Sequence, residues 1–239
     1  MTKRLETLLL DAGGVLVVPN WQRVSETLQR HGVPASADAL SAAEPGVKFA
    51  IDTFVGVSSS SDAKRRGDYL EGVLQTAGVP LGGPTTNALD EIRAYHAAHN
   101  LWEIVPPDVV PALERIRRLG LTLAVASNAN GTVQRAFDRL GLSSYFDVVC
   151  DSHFEGVEKP AARFFEIVLE RCGGRPDTTL HVGDLYHVDI VGARNTGLAA
   201  ILLDRHDQYA GFDVERVPTL QALAEVLETL VQGDRSVPG

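Results

Sequence analysis

The 239-residue sequence has few cysteines, no long apolar run and no surplus of positive charge. Its two cysteines, Cys150 and Cys172, are too few for a disulfide-stabilised secreted fold, and they favour reduced thiols and a cytoplasmic location. No stretch reaches the ~18 apolar residues that a membrane span requires. With 31 acidic against 22 basic residues, the formal net charge is −9, and no basic tract offers a surface for nucleic acid. We therefore expect neither a membrane protein nor a nucleic-acid-binding protein.

The N-terminal segment shares two features with a secretory signal peptide, because basic residues precede an apolar run. Asp11 interrupts the apolar stretch, however, and no small-residue cleavage site follows it cleanly. We therefore interpret this segment as part of the fold, in which 5–10 form a buried strand that ends at Asp11.

Short apolar runs alternate with helical patterns over most of the chain. The runs, each a predicted buried strand, are 5–10, 121–126, 146–149, 179–182 and 199–203. The helical patterns cover 108–119, 131–140, 161–172 and 188–196. This alternation predicts an α/β fold, a Rossmann-like parallel sheet with helices on both of its faces.

One interval, 20–105, interrupts the alternation, because it contains helical patterns and no convincing strand. The predicted helices in it are 21–31, 35–55, 62–77 and 85–99. A helical block of this size after the first strand predicts a separate helical cap domain at 20–105. The core domain is then formed by 1–19 together with 106–232, and 233–239 is a polar, flexible tail.

Polar residues follow several of the predicted strands or lie in the loops beside them. Asp11, Ser127 and Asp184 end three strands, and Lys159 precedes a helix. Each alone is most often a turn residue, a helix cap or a solvated side chain. Because ligands bind beyond the carboxyl ends of parallel strands, however, these residues are expected to meet in one crevice.

The same residues, in this order, resemble the four motifs of the haloacid dehalogenase (HAD) superfamily. The first motif, DxDx[TV] after a strand, corresponds to DAGGV at 11–15. The second, a Ser or Thr at a strand end, corresponds to Ser127, and the third, a lysine, to Lys159 in GVEKP. The fourth, GDxxxxD, corresponds to GDLYHVD at 183–189, and the insertion resembles the superfamily's helical cap.

The resemblance implies an Mg²⁺-dependent hydrolase of small phosphorylated metabolites. Asp11 would be the nucleophile and would form an aspartyl-phosphate. Mg²⁺ would offset the repulsion between this carboxylate and the phosphate, held by Asp11, Asp184 and the backbone carbonyl of Gly13.

Four further roles follow from the same resemblance. Ser127 and Asn128 would bind the phosphoryl oxygens, and Lys159 would stabilise charge on the phosphoryl group and on Asp11. Asp189 would lie behind the metal ligands and orient Lys159 or a water. An equally common use of an aspartate before a helix is capping, so both readings of Asp189 stay open.

The sequence departs from the family pattern at Gly13. HAD phosphatases normally carry there a second aspartate, which protonates the leaving alkoxide and then activates water. Loss of a general acid–base costs about 10²–10⁴-fold in rate. The enzyme could be slow or act on good leaving groups such as acyl phosphates, a surrogate could replace the aspartate, or turnover could be lost. The candidate surrogates by residue type are His153, His187, Asn128, His96 and His99.

Two alternatives to a phosphatase therefore stay open. One is a non-catalytic protein that binds a phosphorylated ligand. The other is a metal-independent 2-haloacid dehalogenase, since such enzymes also lack the second aspartate. Dehalogenases generally lack the paired acidic loop, however, so Asp184 and Asp189 favour a metal site. The sequence indicates neither the substrate nor the oligomeric state.

Overall fold

The computed structural model describes the backbone of residues 4–54 and 62–232, and the side chains of 4–53 and 69–231. The predicted tail at 233–239 lies outside the described residues. The chain divides into two compact units, one formed by Met1–Val18 with Val105–Gly239 and the other by Pro19–Ile104. We call them the core unit and the cap unit.

The described residues contain the following strands and helices. The strands are β1 (Thr7–Leu10), β2 (Val18–Pro19), β3 (Trp102–Ile104), β4 (Thr122–Ser127), β5 (Val148–Asp151), β6 (Thr179–Gly183), β7 (Ala199–Leu203) and β8 (Glu215–Val217). The α-helices are α1 (Trp21–Arg30), α2 (Ala37–Phe54), α3 (Asp62–Thr76), α4 (Gly83–His99), α5 (Val109–Arg117), α6 (Val133–Leu140), α7 (Ser152–Glu155), α8 (Ala162–Cys172), α9 (Gly192–Arg194) and α10 (Leu220–Gln232). A π-helix covers Tyr186–Val191, and 3-10 turns cover Ser143–Tyr145 and Pro176–Thr178.

The core unit is built on a six-stranded sheet with the order β5-β4-β1-β6-β7-β8. Every neighbouring pair in it is parallel. The central strand β1 is buried along its whole length, which explains its unbroken run of leucines, because helices cover both faces of a parallel sheet. The α/β prediction is confirmed, and all of the predicted strands are present.

The edge strand β8 and the last helix α10 are absent from the predictions. β8 has the sequence ERV, too short and too charged to stand out as an apolar run. Edge strands tolerate such residues because only one side of the strand is paired. The apolar residues of α10 recur at helical spacing, and four of them, Leu220, Leu223, Leu227 and Leu230, are buried.

The cap unit consists of α1 to α4 around an apolar core of its own. The expectation of no strand in 20–105 is wrong at one point, since β3 pairs with β2 in a two-stranded sheet. The backbone N–H of Asn20 donates to the carbonyl of Leu101 at 2.9 Å. These short strands lie where the chain leaves and re-enters the core unit, and two or three residues give no measurable periodicity.

The predicted helix at 188–196 is also different from the observed structure. The π-helix Tyr186–Val191 begins earlier and continues into the short helix α9. π-helices are rare, and those that occur are often found at functional sites. The position of this one, two residues after Asp184, therefore favours a functional site there. No helix in the described part of the chain is long and apolar enough to cross a membrane.

Candidate active site

The sheet register brings the predicted site residues to one edge. Leu10, the last residue of β1, is level with Val125 in β4 and with Val182 in β6. The backbone N–H of Asp11 continues the ladder by donating to the carbonyl of Val182 at 2.9 Å. Asp11 and Asp184 therefore leave adjacent strands at the same height, as parallel pairing requires.

Lys159 connects two of the predicted carboxylates. Its Nζ lies 2.9 Å from Oδ1 of Asp11 and 2.6 Å from Oδ1 of Asp189. The lysine is only 1% exposed, and Asp189 is fully buried. A buried charge needs a close partner, and here one ammonium serves two carboxylates. The solvated lysine that a lone sequence match often represents is therefore excluded.

Asp189 uses its two carboxylate oxygens for different partners. Oδ1 accepts from Lys159, whereas Oδ2 accepts from the backbone N–H of Leu185 at 3.1 Å. The capping and lysine-orienting interpretations of Asp189 thus both describe real contacts. Gly183 makes this arrangement possible, because a Cβ at that position would lie 2.1 Å from Cγ of Asp189.

His181 is a site residue that the motif comparison missed. It lies in the middle of β6 with no exposed surface, and its Nε2 is 3.2 Å from Oδ1 of Asp189. The only sequence signal for it is a polar residue inside an otherwise apolar strand. Such a residue is usually satisfied by a partner within the core, and here the partner is Asp189.

Asn128 holds the lysine by its backbone. Its Oδ1 accepts from the N–H of Lys159 at 2.8 Å, and its Nδ2 donates to the Lys159 carbonyl at 2.9 Å. Both ends of the amide are therefore occupied. The amide therefore holds the backbone of Lys159, and the expectation that it also binds phosphate stays a prediction. An uncharged amide makes Asn128 a poor surrogate acid. Ser127, by contrast, is buried at the end of β4, and no hydrogen bond from its hydroxyl to another described side chain is present.

Asp11, Asp184 and Asp189 form a compact acidic cluster. Each offers one carboxylate oxygen, and these atoms lie within 4.8 Å of one another. All three residues are buried. Three carboxylates against the single ammonium of Lys159 leave a surplus of negative charge, and carboxylate oxygens are the ligands that Mg²⁺ prefers. The donor set therefore fits a hard divalent cation.

Burial and charge shift the pKa values of the linked groups. Burial alone would lower the pKa of Lys159, but the charges of Asp11 and Asp189 outweigh it and raise that pKa. Burial would raise the pKa of Asp189, yet the Lys159 charge and the His181 contact outweigh it and lower the pKa. Burial raises the pKa of Asp11, and Lys159 offsets this only in part. The charge of Asp11 is the less well compensated of the two.

The turn after Asp11 positions Gly13. The N–H of Gly14 donates to the carbonyl of Val17 at 2.7 Å, and Gly14 has a φ of 80°, a conformation that favours glycine. Arg205 supports this turn: it donates to the carbonyl of Val15 at 3.3 Å and forms an ion pair with Asp108 at 3.0 Å. These two residues were not predicted to belong to the site.

The histidines considered as surrogate acids lie in different places. His96 and His99 belong to α4 in the cap unit. His153 is on α7, where its ring packs edge-on against Phe154 at 5.2 Å. His187 lies on the π-helix, between Asp184 and Asp189 in sequence, and packs against Tyr186. Among the histidines considered, His187 is therefore the one that lies between two site aspartates in the sequence.

The chain is similar in sequence to two proteins that are named as phosphatases. The chain is 33% identical over 139 residues to a ribulose-1,5-bisphosphate 5-phosphatase of Halopiger xanaduensis, which covers 57% of this chain and 58% of that one. It is 34% identical over 130 residues to a glyceraldehyde 3-phosphate phosphatase of Methanothermobacter thermautotrophicus, covering 51% of this chain and 58% of the other. The chain thus matches less than two thirds of the length of either relative.

Fold comparison and family matching extend over more of the chain. The magnesium-bound HAD-hydrolase YfnB of Bacillus subtilis superposes with a TM-score of 0.71 at 17% identity, over 94% of this chain and 99% of that one. This likeness concerns the fold alone. A family model for haloacid dehalogenase-like hydrolases matches residues 5–197. The chain therefore belongs to the haloacid dehalogenase-like hydrolases.

Proposed function

We propose that the protein is an Mg²⁺-dependent phosphatase that cleaves a small phosphorylated metabolite through an aspartyl-phosphate on Asp11. The observation that carries this proposal is the ammonium of Lys159 between Asp11 and Asp189, with Asp184 beside them. A carboxylate at the sheet edge, in contact with the ammonium of Lys159 and close to the carboxylate of Asp184, suits attack on an anionic group.

The metal would be held by Asp11 and Asp184, with the carbonyl of Gly13 as a third oxygen. Asp189 is less suited to direct binding, because Lys159 and Leu185 already occupy its two oxygens. When bound, Mg²⁺ would supply positive charge that offsets the repulsion between the carboxylate and the phosphate.

The chain's own residues would carry the transfer. A carboxylate oxygen of Asp11 forms a bond to phosphorus while the bond from phosphorus to the leaving oxygen breaks. Lys159 and the Ser127 hydroxyl donate to the phosphoryl oxygens, where negative charge accumulates. Water then attacks the aspartyl-phosphate, which releases inorganic phosphate and restores Asp11.

Gly13 limits which leaving groups can depart. An alkoxide needs a proton as it leaves, and a residue with no side chain cannot give one. The proposal therefore favours substrates whose leaving group is already stable, such as acyl or aryl phosphates, or a slow turnover of sugar phosphates. The relatives named above suggest phosphorylated sugars as the substrate class to examine first.

A single panel of substrates tests the proposal. The purified protein with Mg²⁺ should hydrolyse an aryl phosphate faster than glyceraldehyde 3-phosphate, and EDTA should abolish both activities. Asp11→Asn should reduce turnover by about 10⁴-fold or more. Mg²⁺ should raise the melting temperature of the wild type more than that of Asp184→Asn, which reports binding without turnover. Turnover of a 2-haloacid in EDTA would identify a dehalogenase instead, and phosphate binding without any turnover would identify a binding protein.

Gly13→Asp tests the missing acid directly. Gly13 is not among the glycines with a positive φ, so its backbone does not oppose a side chain. If the missing acid is the only defect, alkyl-phosphate turnover should rise by about 10²–10⁴-fold. Gly13→Asn, of the same size but unable to transfer a proton, is the matched control and should show no rise. Equal behaviour of the two variants would contradict this explanation.

A further inference from the structure

His181 occupies the inner part of the core unit, one layer below the acidic cluster. It is level with Leu9 in β1 and with Ala200 in β7, so strands flank it on both sides. The aromatic ring of Phe165 packs edge-on against the imidazole at 5.2 Å. The side chain has no exposed surface, and it therefore cannot touch a substrate.

In the described part of the chain, the imidazole makes a polar contact through Nε2 and none through Nδ1. Nε2 lies 3.2 Å from Oδ1 of Asp189, whereas Nδ1 has no hydrogen-bond partner in the described part of the chain. An ionised carboxylate can only accept, so Nε2 carries the proton and donates it. A buried polar atom without a partner is unfavourable, and an apolar side chain here would avoid that cost. The polar contribution of this ring therefore acts through Nε2 on Asp189.

The Asp189 carboxylate is fixed in its plane by this contact. Oδ2 is held by the N–H of Leu185, and Oδ1 receives both the imidazole and the ammonium of Lys159. The orientation of Oδ1 in turn sets where Nζ of Lys159 lies, 2.9 Å from Asp11.

We propose that His181 is a positioning residue for Lys159. It acts through Asp189 along the buried series His181, Asp189, Lys159 and Asp11, and the consequence for turnover rests on the proposed function. The His181 ring orients the Asp189 carboxylate, and this carboxylate orients the ammonium of Lys159. The ammonium then lies 2.9 Å from Oδ1 of Asp11, close enough to stabilise charge there. Partners in such a second layer typically change activity by about 10–100-fold when removed.

Three variants separate this role from a contribution to folding. His181→Phe removes the donor and keeps an aromatic ring, and it should lower kcat by about 10–100-fold with KM within about two-fold. His181→Gln places an amide N–H near the position of Nε2 and should restore most of kcat. Leu180→Ala is the matched control, because the adjacent residue on the same strand is equally buried on the other face of the sheet. It should lower the melting temperature and leave kcat within about two-fold.

A double-mutant cycle identifies the route through Asp189. In an Asp189→Asn background, His181→Phe should lower kcat by less than about two-fold further, because both changes break the same contact. Independent, multiplicative losses would overturn the proposal. So would a His181→Phe variant that keeps full kcat while its melting temperature falls as much as that of Leu180→Ala.

A spectroscopic measurement makes the proposal testable even if no substrate is turned over. The side-chain ¹H–¹⁵N spectrum should contain a slowly exchanging imidazole N–H from Nε2 of His181, which disappears in His181→Phe and shifts in Asp189→Asn. A proton on Nδ1, or a signal that Asp189→Asn leaves unchanged, would overturn the positioning role. An inactive wild type with the expected signal would instead count against the phosphatase proposal alone.

Discussion

Two carboxylates, one in each unit, each accept several hydrogen bonds, but their partners differ in how far they are exposed to solvent. Asp189 in the core unit is fully buried and shares Lys159 with another carboxylate. Glu103 in the cap unit accepts from Asn20, Arg23 and Tyr95, and Arg23 is itself 40% exposed. In the cap cluster Glu103 pairs with the guanidinium of Arg23, whereas in the core cluster three carboxylates lie close together beside the ammonium of Lys159.

This difference distinguishes a structural cluster from a reactive one. A balanced, partly solvated ion pair contributes little to stability and has no need of an additional ligand. A buried cluster with surplus charge is unfavourable by itself, and a bound cation or a further proton relieves it. Perturbed groups gathered at a sheet edge are therefore expected where chemistry occurs. The following predictions measure how far the two clusters differ.

The largest difference should follow removal of the cation from each cluster. Lys159→Met removes the ammonium that pairs with Asp11 and Asp189, and the free energy of unfolding should fall by about 3–5 kcal/mol. Turnover should fall by about 10²–10³-fold, because a donor to the phosphoryl group is lost. Arg23→Met in the cap should reduce the free energy of unfolding by about 1 kcal/mol or less.

Chemical denaturation and kinetics with an aryl phosphate measure both effects. Mg²⁺ should restore part of the lost stability in Lys159→Met and almost none in Arg23→Met, since only the former removes positive charge from the acidic cluster that could bind the ion. Equal destabilisation by the two substitutions would remove the proposed distinction between the clusters.

We expect a smaller loss of stability and activity from substitution of two asparagines, each of which uses its side-chain amide both as a donor and as an acceptor. Asn128 holds the backbone of Lys159 with both ends of its amide, and Asn20 accepts from the N–H of Arg23 at 3.0 Å while donating to Glu103 at 2.9 Å. Each Asn→Ala substitution should reduce the free energy of unfolding by about 1–2 kcal/mol. Only Asn128→Ala should lower kcat, by about 10-fold, because it loosens Lys159.

Thermal melts and kcat values of the two alanine variants check this pair. For Asn128→Ala the loss should appear in kcat with little change in KM if the amide acts by holding the backbone of Lys159. Should Asn128→Ala instead raise KM and keep kcat, the amide would belong to phosphate binding, as the sequence alone suggested.

Asp11 and Asp184 could be placed at one edge of the sheet from topology, since each follows a strand and parallel strands end at the same edge. Lys159 lies in the loop before α8, so its motif context rather than a strand end indicated that it would join them. His181 could not be assigned to the site from the sequence, because a histidine inside an apolar strand matches no motif. Its role depends on its contact with Asp189, which the π-helix positions. The contact between the Asn128 amide and the backbone of Lys159 was not predicted for a similar reason: strand order places a residue but does not give its side-chain rotamer.

The smallest effect should come from the pH dependence of the cap cluster. Burial would raise the pKa of Glu103, but hydrogen bonds from Arg23, Tyr95 and Asn20 outweigh it and lower this pKa below its ordinary value of 4.5. A carboxyl group with a lowered pKa stabilises the fold above its unfolded-state pKa, and that contribution is lost as the pH falls through the lower folded-state pKa.

Glu103→Gln should therefore destabilise the protein by about 1 kcal/mol at neutral pH, and the difference from the wild type should shrink below the ordinary glutamate pKa. Unfolding by denaturant at pH 7 and at successive steps below pH 4.5 measures this difference. The kcat at neutral pH should be unchanged, because the cluster contains no residue of the proposed catalytic site. If the difference in unfolding free energy between the wild type and Glu103→Gln grew on acidification, the folded protein would favour the protonated form of Glu103. Burial would then determine the pKa of Glu103 more than its hydrogen bonds do.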